Sequence, residues 1–170
     1  MKLTQVSFVA VATIGVLLSR DSSVVAGSAT ANLPVSVQVA SNCTISANAV
    51  AFPSYDPIST HATSPDDSNS GSVVIACTKG TSANIGLGLG SNASGSTRRM
   101  KDSGTNLITY ELYSDSGRAT VWGNASGSWL SAGLAPDKNP RTFTVYGRIP
   151  AAQDVPAGTY NDTVVATVNF

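Results

Sequence analysis

The stretch that decides the fold is residues 31–45, which read ANLPVSVQVASNCTI. Its apolar residues occupy every second position, and they are Ala31, Leu33, Val35, Val37 and Val39. A period of two places all of these side chains on one face of an extended strand. The same parity continues to Cys43 and Ile45, so we expect a half-buried strand that aims the cysteine at the core.

Alternation of this kind recurs along the rest of the chain, at Val73 to Cys77, Ile85 to Leu89, Ile108 to Leu112, Phe143 to Ile149 and Tyr160 to Phe170. A weaker strand is expected at residues 119–122, and residues 53–70 are expected to form a polar loop. Gly86, Gly88 and Gly90 alternate with apolar residues, which predicts either close packing of another segment against that strand or a bulge. Short strands separated by turn residues predict an all-β sandwich.

The composition restricts the classes of function. The chain has 170 residues, which is the size of one domain, and only 12% of them are charged. Ten basic residues balance ten acidic residues. Because a nucleic-acid binder normally presents an excess of positive charge, no nucleic-acid partner is expected.

The N-terminus is expected to be an export signal. Lys2 precedes an apolar run from Val6 to Leu18, which is shorter than the roughly 20 residues that a membrane-spanning helix needs. The small residues that follow predict signal cleavage after Ala26, with Ala31 as a second candidate. We therefore expect residues 1–26 to be removed, the mature chain to contain no membrane span, and the product to be secreted.

The two cysteines are best interpreted in that oxidising environment. A single pair in a small exported domain predicts the disulfide Cys43–Cys77. The competing interpretation is a catalytic thiol or a metal ligand, but the chain has no CxxC motif and its one histidine, His61, lies in the predicted polar loop. No catalytic residue, metal site or cofactor is therefore expected.

The two ends of the predicted domain carry the functional hypothesis. Without residues 27–41, about six strands remain, one fewer than the simplest immunoglobulin-like sandwich contains. A sandwich that lacks a strand has unpaired backbone groups and an open apolar groove, which the N-terminal strand of a neighbouring molecule could fill. The alternation alone does not distinguish such a donated strand from an ordinary first strand of the same molecule.

A resemblance to a known family bears on this choice. The segment from Gly147 to Phe170, GRIPAAQDVPAGTYNDTVVATVNF, resembles the closing segment of the spore coat U domain family. Supporting matches are Cys77-Thr78-Lys79-Gly80, Arg98-Arg99-Met100, Tyr110-Glu111-Leu112-Tyr113 and Cys43-Thr44-Ile45. The family includes spore coat protein U and the subunits of archaic chaperone-usher pili, and the resemblance covers nearly all of the mature chain.

The resemblance implies an incomplete immunoglobulin-like sandwich that polymerises by donor-strand exchange. A periplasmic chaperone would hold each subunit, an outer-membrane usher would export it, and identical or related subunits would be its partners in a surface fibre or a spore coat. Residues 27–41 would be the donor strand and residues 42–170 the sandwich domain. The implied donor side chains are Ala31, Leu33, Val35, Val37 and Val39, and those beside the acceptor groove are Val164, Ala166, Val168 and Phe170. Pro34 lies inside the donor segment and lacks an N–H, so it removes one ladder hydrogen bond.

An alternative from another class is a monomeric carbohydrate-binding sandwich. In that hypothesis the rings of Trp122, Trp129, Tyr113 and Tyr146 would stack on sugars. Aromatic residues in a small β domain are more often part of its core or of an interface, so the sequence favours the non-enzymatic structural subunit.

Overall fold

The computed structural model describes residues 25–170, so the predicted signal peptide, residues 1–26, lies almost entirely outside the described residues. Of the described residues, 25–37 belong to one unit and 38–170 form a second, compact unit. The compact unit contains eight strands: β1 (Cys43–Asn48), β2 (Asp66–Cys77), β3 (Ser82–Leu87), β4 (Arg98–Lys101), β5 (Leu107–Tyr113), β6 (Leu130–Leu134), β7 (Arg141–Ile149) and β8 (Ala166–Asn169).

The strands form two sheets. One sheet has five strands in the order β1-β2-β7-β5-β4, and the other has three in the order β6-β3-β8. All pairings of named strands are antiparallel. The β2–β7 pairing contains one register shift, between Ser68 and Gly71.

The core lies between the sheets and follows from the period of two. Val73 and Ile75 on β2, Tyr110 and Leu112 on β5, and Ile85 on β3 are all buried. Because alternate side chains point to opposite faces of a strand, each inner face supplies apolar residues while the outer faces stay polar. The expected all-β sandwich is confirmed.

The disulfide Cys43–Cys77 is also confirmed. Its two cysteines are directly opposite each other in the β1–β2 pairing, and Cys77 is buried. The bond therefore fixes the start of β1 to the end of β2. In the chain-entropy model, closing a loop of this length stabilises the fold by roughly 3 to 4 kcal/mol.

Several strand predictions need correction. The compact unit contains eight strands, whereas about six were expected. β2 begins at Asp66, inside the predicted loop, and residues 119–122 form only one isolated bridge, between Val121 and Tyr113. Leu89 lies beyond the end of β3. The predicted C-terminal strand is reduced to β8, because residues 160–165 are held by other contacts described below.

The alternating segment that opens the sequence analysis is not part of either sheet. Residues 25–42 carry no strand assignment in the described chain, and Leu33, Val35, Val37 and Val39 are between 76% and 88% exposed. The expectation of a half-buried strand is therefore wrong for this chain by itself. Residues 27–41 are called the arm below.

Candidate functional site

The compact unit has an open edge. Within the described residues, β1 pairs only with β2, and β8 pairs only with β3. β1 and β8 come close to each other at this side of the sandwich. Each therefore presents one row of backbone N–H and C=O groups that no strand of the described chain covers, and such an edge can accept another strand.

A cavity of about 490 Å³ opens at this edge, and it is called the groove below. The inner faces of the central strands form its floor, which includes Val73, Tyr110, Leu112 and Val145. Val164 and Ala166 line the wall on the β8 side. The floor is apolar and lies between two unpaired edges, so its geometry suits an extended segment with apolar side chains on one face.

Asp162 holds the groove wall that precedes β8. One carboxylate oxygen, Oδ1, accepts hydrogen bonds from the backbone N–H of Ser91 (2.9 Å) and of Asn92 (3.1 Å). The other oxygen, Oδ2, accepts a hydrogen bond of 2.7 Å from the hydroxyl of Tyr110. Backbone bonds also hold residues 160–165: Asn161 forms an isolated bridge with Lys101, and the carbonyls of Thr163 and Val165 accept hydrogen bonds from Ser91 and Gly88. Side-chain and backbone contacts together fix this segment although it is not a strand.

Burial raises the pKa of Tyr110 far above its usual value, and the hydrogen bond to Asp162 raises it further. Tyr110 therefore remains a neutral hydroxyl donor at any physiological pH. Because it spans from the five-stranded sheet to the groove wall, it fixes the position of that wall relative to the floor.

Arg98 on β4 is a structural residue whose role the sequence analysis missed. Its side chain is almost fully buried and pairs with Glu111 on β5. It also donates hydrogen bonds to the backbone carbonyls of Leu87 (2.9 Å) and Trp122 (2.8 Å). Arg98 thus joins the two sheets at the end of β3, where the ladder between β3 and β8 stops. Its place in an Arg-Arg pair gave no signal that it is buried.

Thr78 fixes the short segment that connects the arm to β1. Its hydroxyl donates to the carbonyl of Ala40 (3.2 Å) and accepts from the N–H of Asn42 (3.2 Å). The N–H of Thr78 donates to the carbonyl of Asn42 at 2.9 Å. The base of the arm is therefore anchored one residue away from the disulfide.

The residues expected beside the groove occupy different positions. Val164 and Ala166 line it, and Val168 packs against the core. Phe170 is 56% exposed and does not line the groove in the described chain, so its expected role in partner binding stays a prediction. β8 ends at Asn169, one residue before it.

The aromatic set of the carbohydrate hypothesis is not available as a set. Trp122 is completely buried, and its indole N–H donates to the carbonyl of Ile85 at 2.8 Å. It is a core residue and has no ring face for a sugar. Trp129 is 37% exposed, and Tyr146 has the guanidinium of Arg118 over its ring.

His61 is buried, although a polar loop was expected around it. Its ring stacks on Tyr55, with 4.8 Å between the ring centroids, and its Nδ1 accepts a 2.9 Å hydrogen bond from the N–H of Asp56. Asp66, whose pKa is raised by burial, lies 4.0 Å from Nε2. These contacts give His61 a structural environment in the turn that precedes β2.

Residues 25–170 show neither a metal-binding cluster nor a membrane-spanning helix. They contain no group of three or more His, Cys, Asp and Glu side chains that could hold a metal ion. This part of the chain also has no helix of the length and apolar character that crossing a membrane requires.

The two-layer architecture is that of an immunoglobulin-like sandwich, and the described residues leave one edge open beside an apolar groove. The chain belongs to the Spore Coat Protein U domain family, whose model matches residues 29–167. It is 40% identical to "Protein U" of Myxococcus xanthus over 177 aligned positions, which cover 95% of this chain and 96% of that protein.

A solved structure shares the fold. It is the complex of the chaperone CsuC with the tip adhesion subunit CsuE from the archaic chaperone-usher Csu pili of Acinetobacter baumannii. The TM-score is 0.55 and the sequence identity 26%, and the match covers 78% of this chain. This chain spans 40% of the length of the matched chain.

Proposed function

We propose that this protein is an exported structural subunit that polymerises when the arm of one copy fills the groove of the next. The product would be a surface fibre or a spore coat layer. One observation carries the proposal: the described chain combines an apolar groove between two unpaired edge strands with an exposed segment of alternating apolar residues.

The arm and the groove have matching chemistry. Leu33, Val35 and Val37 are each more than 80% exposed, and exposing a row of aliphatic side chains to water is unfavourable. Burying a Val or Leu side chain contributes roughly 1.5 to 3 kcal/mol, so several such residues and a backbone ladder can form a durable joint.

Partners follow from the open edge. An exposed apolar groove is an aggregation hazard, so a subunit in transit needs a protein that covers it. The matched solved structure is a chaperone–subunit complex. We therefore propose a periplasmic chaperone and an outer-membrane usher as partners, with final residence on the cell surface or in a spore coat.

The sharpest test compares the two faces of the arm. Replacing the inward residues Val35 and Val37 by Asp should abolish polymers that resist detergent without boiling. The matched control replaces the neighbouring outward residues, Ser36 and Gln38, by Asp and should polymerise normally. Both variants add the same charge to the same segment, so only the face differs.

Deleting residues 27–41 gives a second test. The shortened chain should be captured by the chaperone but should not polymerise, and a synthetic peptide of the arm should bind its groove. Polymerisation of the shortened chain at the normal rate would contradict the proposal.

A further inference from the structure

The segment that follows β1 lies along the groove and contributes Ala49, Val50 and Phe52 to its lining. The β1–β2 ladder ends at the pair Asn48 and Ser72. Beyond it, serine side chains hold the peptide of Ala51: its N–H donates to the hydroxyl of Ser70 (2.8 Å), and the hydroxyl of Ser68 donates to its carbonyl (2.6 Å). Both serines lie at the β2–β7 register shift. Hydroxyl groups thus substitute for the ladder and fix this segment in place.

Val50 and Phe52, the neighbours of Ala51, lie against two bare positions of the central strands. A Cβ atom added to Gly71 on β2 would collide with Val50, and one added to Gly147 on β7 would collide with Phe52. Any residue larger than glycine would push these two side chains away. The glycines therefore seat Val50 and Phe52 across the inner face of the five-stranded sheet.

Val50 and Phe52 also line two neighbouring cavities. Besides the groove, a second cavity of about 760 Å³ is lined by Tyr55, Ile149 and Val155 among others. The residues that line both cavities are Val50, Phe52, Met100, Tyr160 and Asn161. Val50 and Phe52 therefore lie where the two cavities adjoin, at a place that an added strand would pass.

We infer that Val50 and Phe52 are a built-in divider that determines specificity, because it accepts only a compact side chain at one inward position of the incoming arm. The inference rests on the proposed function and names the arm of a second copy as the occupant. Every inward residue of the arm is Ala, Val or Leu, so none carries a ring. An aromatic side chain on the arm that met the divider would have to displace Phe52. An aromatic side chain at another inward position of the arm would enter one of the two cavities.

The test uses the mature chain, residues 27–170, and labelled synthetic peptides of residues 29–41. Five variant peptides each carry Phe at one inward position: 31, 33, 35, 37 or 39. We expect one of them to bind about tenfold or more weakly than the wild-type peptide, because an overpacked contact is unfavourable. The protein variant Phe52→Ala should restore binding of that peptide alone.

A matched control separates the divider from a general loosening of the groove. Val73→Ala enlarges the groove floor without touching the second cavity, so it should not restore binding of the rejected peptide. Thermal unfolding shows whether Phe52→Ala folds. If it does not, Phe52→Leu serves as a milder variant.

The outcomes are distinct. If the wild-type peptide binds and neither Phe52 variant rescues a specific position, the divider is refuted and the proposed function stands. If the rejected peptide is rescued equally by Val73→Ala, the divider is also refuted. If the wild-type peptide does not bind at all, the proposed function falls, and the divider falls with it.

Discussion

The arm and β5 carry the same sequence pattern in opposite environments. In β5, Ile108, Tyr110 and Leu112 alternate with more polar residues, and all three are buried. In the arm the alternation is longer, yet Leu33 is 84% exposed whereas Leu112 is 4% exposed.

The difference shows what alternation does and does not encode. A period of two specifies that a segment has an apolar face when it is extended. It does not specify which chain supplies the neighbouring strand. β5 finds its neighbours in β4 and β7, whereas the arm has no partner strand among the described residues. The arm therefore has the sequence pattern of a strand but is paired with no strand of the described chain.

The largest expected effect on stability comes from replacing one leucine by alanine in each of the two regions, β5 and the arm. Leu112→Ala should lower the free energy of unfolding of the monomer by about 2 to 5 kcal/mol, because it removes buried methyl groups. Leu33→Ala should change it by less than about 0.5 kcal/mol, since an exposed side chain contributes little. Chemical denaturation of the isolated subunit measures both values.

The proposed polymer distinguishes Leu33 from Leu112 further. In the polymer, Leu33→Ala should weaken the joint between subunits, and the loss would be measured as lower resistance of the polymer to detergent. If Leu33→Ala already destabilised the monomer as strongly as Leu112→Ala, the arm would be packed in its own molecule, and the contrast between the two regions would be lost.

The sequence predicted the strands whose inner faces are apolar and whose turns are rich in Gly, Ser and Pro, as for β5 and β7. It missed β4, because Arg98 and Lys101 read as exposed charges, and the pairing of β4 with β5 is visible only in three dimensions. It missed β6, whose few residues include Gly133 with a positive φ.

The site was predictable to a similar extent. Alternation and family resemblance identified the arm and two groove residues, Val164 and Ala166. The contacts of Val50 with Gly71 and of Phe52 with Gly147 were not predictable, because each joins positions far apart in the chain. Phe170 continues the alternation of Val164, Ala166 and Val168. The alternation could not indicate that β8 ends at Asn169, one residue earlier.

Substitution of Arg98 tests whether the stability of the fold depends on its hydrogen bonds between the two sheets. Arg98→Met keeps the volume but leaves the carbonyls of Leu87 and Trp122 without their buried donor, which should cost about 2 to 3 kcal/mol of unfolding free energy. Arg99→Met is the matched control. Arg99 makes a single carbonyl contact, to Asn92, so its loss should cost less than about 1 kcal/mol. Equal losses would mean that Arg98 acts only through packing.

The smallest expected effect concerns the groove wall and depends on pH. Tyr110→Phe removes the hydrogen bond to Asp162 and should cost about 1 kcal/mol at pH 7. Because burial raises the pKa of Tyr110, the folded protein retains this proton after the unfolded chain begins to lose it near pH 10. The contribution of Tyr110 is therefore complete below pH 10 and declines as the pH rises further.

The variant Tyr110→Phe has no hydroxyl to ionise at this position, so it lacks this decline. The difference in unfolding free energy between wild type and variant, measured by denaturant unfolding, should therefore become smaller above pH 10. Tyr146→Phe is the control, because the ring of Tyr146 lies under Arg118 and not on the groove wall. A difference that stayed constant up to pH 11 would show that the Tyr110 proton is not held by the fold. The hydrogen bond to Asp162 would then not secure the groove wall.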